Sequence, residues 1–149
     1  MTDRDQERDN KQLVRRFVQA VNDRDYDALG AFVAPDFTRH CPATPDVEVR
    51  SLDDLRRFLE QDLEAVPDSV VTMERLVAED EFVAFWATYS GTQLGPMGPF
   101  PPSGRRVVGP FAGYFRVENG KLAELHVTWD NVDMLTQLGH LGDVSANGS

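Results

Sequence analysis

In the segment ELHVTWD, the side chains of Glu124, His126, Thr128 and Asp130 share one side of a period-two pattern, and Leu125, Val127 and Trp129 share the other. Carboxylates and an imidazole in a row are the parts of an acid/base site. A carboxylate can take a proton from a carbon acid within hydrogen-bond reach, and imidazole, hydroxyl or amide donors can hold the resulting oxyanion. The same alternation also describes a strand with one solvated face, which composition alone favours. Asp130 equally suits the N-cap of a helix starting near Asn131. A metal site built from His40, His126 and Asp130 is disfavoured, because four residues of strand separate His126 from Asp130 by about 13 Å, too far for two ligands of one ion. No metal or other cofactor is therefore expected. Ser51, Ser69, Ser90 and Ser103 fit caps, strands or turns, so a Ser-His-Asp triad has no support.

The elements that would position these groups follow from periodicity. Val14, Phe17, Val18 and Val21 recur at helical spacing and predict an amphipathic helix over 10–22, with residues 1–9 loose. YDALGAFV predicts a second short helix ending before Pro35, and DFTRHCP a brief extended segment. Ser51, with Asp54 three residues on, resembles a capping box and opens a helix whose buried face carries Leu52, Leu55, Phe58, Leu59 and Leu63. From Ser69 the period falls to two. VVTMERLVAED and FVAFWATYSGTQ read as strands across an acidic turn, and residues 94–104, dense in Pro and Gly, as a long loop. RVVGPFAGYFRV and KLAELHVTWD flank an Asn-Gly hairpin signal. NVDMLTQLG predicts a short closing helix, and residues 142–149 a flexible tail. Helices first and hairpin-linked strands second imply one α+β domain over 10–141, an antiparallel sheet with helices on one side.

A chain of 149 residues can bury a core, and its net charge of −10 opposes nucleic-acid binding. No apolar run reaches membrane-spanning length and the N-terminus is unlike a signal peptide, so a cytoplasmic protein is expected. A single cysteine, Cys41, excludes an internal disulfide framework. Two lysines, no isoleucine and a surplus of Asp over Glu are compatible with a salt-adapted cytoplasm or a GC-rich genome.

The segment ENGKLAELHVTWDNVDMLTQLG resembles the closing segment of the SnoaL-like polyketide cyclases, or ester cyclases, of the nuclear transport factor 2-like superfamily. It supplies Gly120, Lys121, Glu124, Asp130 and Gln137-Leu138-Gly139. SGTQLGPMGPFPPSGRRV is similar to a second family segment, through Gly91, Thr92, Gly95, Gly98, Pro101, Pro102, Gly104 and Val107. DFTRH, ending at His40, is similar to a third. Gln93 stands where the family often has His, and His126 where it often has Trp.

The resemblance implies a conical barrel and an intramolecular aldol cyclisation of a small apolar or aromatic carbonyl compound, polyketide-like or an ester. Asp130 would be its general acid/base. His40, His126, Gln93 and Tyr89 would supply donors, and burial among Phe85, Trp86, Tyr89, Phe111 and Phe115 would raise the carboxyl's pKa. It further implies a homodimer through the outer sheet face, and places the 94–104 loop at the pocket rim. An isomerase or hydrolase of the same fold, or a protein that only binds an apolar ligand, are the alternatives.

Overall fold

The computed structural model describes residues 2–141. Helix α1 runs Asp3–Asp23, a 3-10 turn spans Tyr26–Ala31, and β1 covers Val33–His40. Helix α2 is Leu52–Ala65, followed by β2 (Val70–Glu79), β3 (Phe82–Thr92), β4 (Arg106–Glu118), β5 (Lys121–Trp129) and α3 (Asn131–Gln137).

The start of α1 corrects the expectation of a loose N-terminus over residues 1–9. Thr2 caps the helix by accepting from the Asp5 N–H, and Asp3 and Asp5 suit the positive end of the helix dipole. Asn10 ties the early turns down, accepting from Gln6 and donating to the Asp80 carbonyl. The second predicted helix is only the 3-10 turn, and β1 starts three residues before the expected extended segment, running through Pro35. Ser51 caps α2 by accepting from the Asp54 N–H, while the Asp54 carboxylate accepts from the Arg50 N–H. Residues 142–149, the expected tail, lie outside the described residues.

The five strands form one curved sheet in the order β1-β5-β4-β3-β2. Strands β2 to β5 make an antiparallel meander, but β1 joins β5 in parallel, so the sheet is mixed, not wholly antiparallel. The hairpin turn places Asn119 and Gly120 both at positive φ, as the Asn-Gly signal predicts. Val14, Phe17 and Val18 of α1 and Leu55 and Leu59 of α2 pack with Val83, Phe85, Phe115, Leu125 and Val127 from the sheet. Gly113 permits the close approach of β4 to β5, since a Cβ there would collide with the His126 carbonyl.

Candidate functional site

Between the helices and the inner face of the sheet lies a cavity of about 200 Å3. Its walls are largely apolar. Phe17, Val18 and Val21 come from α1, Leu55, Phe58 and Leu59 from α2, and Phe85, Phe111, Phe115, Leu125, Val127 and Trp129 from the sheet. Three polar groups, Arg39, Asp62 and Tyr89, line it among the apolar side chains, and two carboxylates, Asp130 and Asp133, lie on its wall near Met134 and the start of α3.

Asp62 sits on the apolar stripe of α2, seven residues after Leu55, four after Phe58 and three after Leu59, which aims its carboxyl into the cavity with theirs. The Tyr89 hydroxyl donates to it, 3.2 Å from Oδ1 and 3.3 Å from Oδ2. Burial pushes the Asp62 carboxyl up to about 6, against the lowering influence of the Tyr89 hydrogen bond and of Arg24 and Arg39. Burial and the neighbouring carboxylate raise the Tyr89 phenol as well. Tyr89 is therefore a neutral donor at physiological pH.

Arg39 lies on the inner face of β1 opposite Leu125 and is only 8% exposed. Its guanidinium stacks over Phe58 at 4.3 Å and faces Trp129 at 5.8 Å. Burial lowers its pKa, but a guanidinium begins so far above neutrality that it keeps its charge. The cavity thus holds one fixed cation beside one carboxyl that titrates near neutral pH.

The sequence-derived site residues divide. Tyr89, Phe85, Phe111, Phe115 and Asp130 line the cavity. Asp130 is exposed at its edge, and its carboxylate accepts from the Asp133 N–H at 3.0 Å as the N-cap of α3. His126 and His40 do not enter the cavity. The apolar side of β5, Leu125, Val127 and Trp129, faces inward, which puts Glu124 and His126 on the outer face with His40 beside them. Trp86, expected among the aromatic walls, is 54% exposed on that same outer face, because β3 turns Val83, Phe85 and Ala87 inward instead.

Gln93 is fully buried but holds the 94–104 loop, not a ligand. Its amide N–H groups donate to the carbonyls of Gly95, Phe100 and Pro101, and its oxygen accepts from Ser103 Oγ at 3.2 Å and His140 Nε2 at 2.5 Å. The loop is drawn toward the end of α2, with Leu94 and Gly95 N–H groups donating to the Ala65 carbonyl. None of its residues lines the cavity, so it does not form the expected rim.

Asp62, Arg39 and Asp133 are the polar cavity groups that the sequence reading missed. The available signal was an acid at an apolar-stripe position of α2 and an arginine two residues after the buried Phe37 of β1.

Residues 11–138 match the SnoaL-like polyketide cyclase family, and the chain belongs to it. Among solved structures, TsrD from Streptomyces laurentii is 30% identical with a TM-score of 0.79, covering 89% of this chain and 96% of its own. AclR from Streptomyces galilaeus, a proposed hydroxylase, is 27% identical with a TM-score of 0.78, covering 96% of this chain and 95% of its own. IdmH from Streptomyces antibioticus, a proposed polyketide cyclase, is 26% identical with a TM-score of 0.76, covering 87% of this chain and 98% of its own. No curated protein matches. The fold is also similar to that of a nuclear transport factor 2-like protein from Burkholderia pseudomallei, 19% identical with a TM-score of 0.74, covering 88% of this chain and 98% of its own. Among the described residues, no helix is long and apolar enough to cross a membrane.

Proposed function

We propose that the protein is an acid/base enzyme that closes a ring in a small, largely apolar carbonyl compound by intramolecular aldol addition, with Asp62 moving the proton. One observation carries this reading: a carboxyl with a pKa of about 6, hydrogen-bonded by Tyr89, faces an otherwise greasy cavity beside a buried arginine. A base with a pKa near the working pH combines a useful ionised fraction with a useful proton affinity.

In this scheme the Asp62 carboxylate removes a proton from the carbon between or beside carbonyl groups. The Arg39 guanidinium and the Tyr89 hydroxyl stabilise the enolate oxygen. The enolate carbon attacks a second carbonyl of the same molecule, forming the carbon–carbon bond and an alkoxide. Protonated Asp62 then returns its proton to that alkoxide, and no redox partner is consumed. Asp130, the position that the family resemblance favours, is the second candidate base, lying toward the solvent end of the cavity. The homodimer is a proposal too, supported by Phe82, Trp86 and Tyr114, exposed on the outer face.

The test is α-proton exchange. Cyclic and linear β-diketones that raise the melting temperature are incubated with the protein in D2O, and loss of the α-proton signal is followed by NMR. Wild type and Asp130→Asn should exchange the proton, and Asp62→Asn should bind the diketone without exchanging it. Exchange that survives in Asp62→Asn but disappears in Asp130→Asn would transfer the role to the outer carboxylate. Binding without exchange in any form would make this a ligand-binding protein.

A further inference from the structure

The side of the sheet facing away from the cavity carries a second constellation. The register of three neighbouring strands places Tyr114, His126 and His40 side by side: Tyr114 opposite His126 across β4 and β5, and His126 opposite His40 across β5 and β1. The rings form a column, with His126 stacked on His40 at 4.3 Å and on Tyr114 at 4.7 Å. Glu124 precedes His126 by two residues and so projects from the same face. His126 Nε2–H donates to Glu124 Oε1 at 2.6 Å.

One ligand atom from each of His40, Glu124 and His126 lies within 4.8 Å of the other two. Around a single ion with bonds of about 2.1 Å, neighbouring ligand atoms stand about 3.4 Å apart in tetrahedral geometry. The His126–Glu124 pair is already closer than that. The His126 and Glu124 atoms must part by about 0.8 Å to admit the ion, and His40, exposed on an edge strand, must swing inward. Its ring nitrogens have no hydrogen-bond partner among the described residues, so a lone pair is available.

We propose that His40, Glu124 and His126 bind a divalent transition metal ion, with zinc, nickel or cobalt as the matching class. Two imidazoles and one carboxylate form a borderline donor set that suits these ions over magnesium or calcium. The ion takes the place of the proton now shared between His126 and Glu124. Tyr114 restrains the His126 ring from its other side. Arg116, the nearest opposing cation, sits 3.7 Å from the other Glu124 oxygen, Oε2, and is also engaged by Glu118. The ion would clip the parallel β1–β5 junction from outside, across the sheet from the catalytic cavity, so it takes no part in the ring closure proposed above. This assigns a metal to a chain whose sequence suggested none. The distance that separates His126 from Asp130 does not separate it from Glu124, two residues away on the same face.

The test is calorimetric titration of the untagged protein with zinc and nickel chloride near pH 7.5, with the cobalt-loaded form read by its visible ligand-field spectrum. One ion per chain is expected, with a higher melting temperature in its presence and reversal by EDTA. His40→Ala, His126→Ala and Glu124→Gln should each weaken binding by about tenfold or more, since even outer-layer partners of metal ligands contribute that much. His140→Gln, which removes the only other histidine, should bind as wild type does. Circular dichroism establishes that each variant is folded. Absence of saturable binding, or affinity unchanged in folded His40→Ala, would overturn the site.

Discussion

Replacing Asp62 with Asn should make the protein more stable while depriving it of its proton carrier. An unfolded Asp ionises near 3.8, whereas in the folded protein Asp62 holds its proton up to about 6. Below pH 3.8 the group is neutral in both states and does not affect folding. Between 3.8 and about 6 the unfolded chain gives up its proton while the folded state keeps it, so stability falls across that window and levels off above it. At 1.36 kcal/mol per pH unit, the difference between about 6 and 3.8 corresponds to about 3 kcal/mol at pH 7.5. Asn has nearly the same shape, keeps an oxygen acceptor for Tyr89 and never ionises. Urea unfolding of both proteins from pH 4 to pH 8 should show near-equal stability at the acid end. The gap should widen from about pH 4 and reach its full size of about 3 kcal/mol above pH 6, equivalent to roughly 6–12 °C in melting temperature. Other carboxylates titrate equally in the two proteins and cancel. A gap that is absent at pH 8, or that persists undiminished at pH 4, would refute the buried, proton-retaining carboxyl on which the proposed chemistry rests.

Tyr89→Phe removes the hydroxyl that favours the ionised form of Asp62, so the carboxyl pKa should rise further. Carbon-13 carboxyl titration or the acid limb of the rate profile would move to higher pH. Gln93→Ala would leave the carbonyls of Gly95, Phe100 and Pro101 without their shared donor. It should cost on the order of 2–4 kcal/mol in urea unfolding, and expose the 94–104 loop to limited proteolysis. Gly113→Ala forces a methyl group toward the His126 carbonyl, so strands β4 and β5 must separate locally. A loss of roughly 2–4 kcal/mol is expected, measured as a lower urea midpoint.

Most elements were readable from the sequence because local rules fix them: the hydrophobic stripes of α1 and α2, the Ser51 cap, and the Asn-Gly turn between β4 and β5. The inside and outside of β5 were readable too, in the simple sense that Leu125, Val127 and Trp129 are the greasy side. Treating His126 as a pocket residue required the polar side to face inward, against that pattern, and the structure follows the pattern. Asp62 was concealed by its setting, one acid among several on a charged helix, recognisable only once the helix is rotated to put Leu55 and Leu59 on the core. The metal-ligating cluster depends on β1 lying parallel to β5, and no local signal links His40 to a residue 86 positions away. Gln93 stands out in the sequence as a departure from the family pattern. Its neighbours, set by the fold of the loop, decide that it braces the chain.

The parallel seam between β1 and β5 also constrains how the chain is made. Among the described residues, the strand that flanks β1 is β5, the last of the five in chain order, and Val33 finds its partner at Leu122. While the ribosome adds the intervening residues, the apolar side chains of Val33 and Phe37 have no strand to lie beside. Sheet closure therefore waits until β5 has been made, a long-range ordering step that slows folding. A nascent chain arrested before Trp129 would expose an unpaired strand edge, a natural target for holding chaperones and a starting point for aggregation.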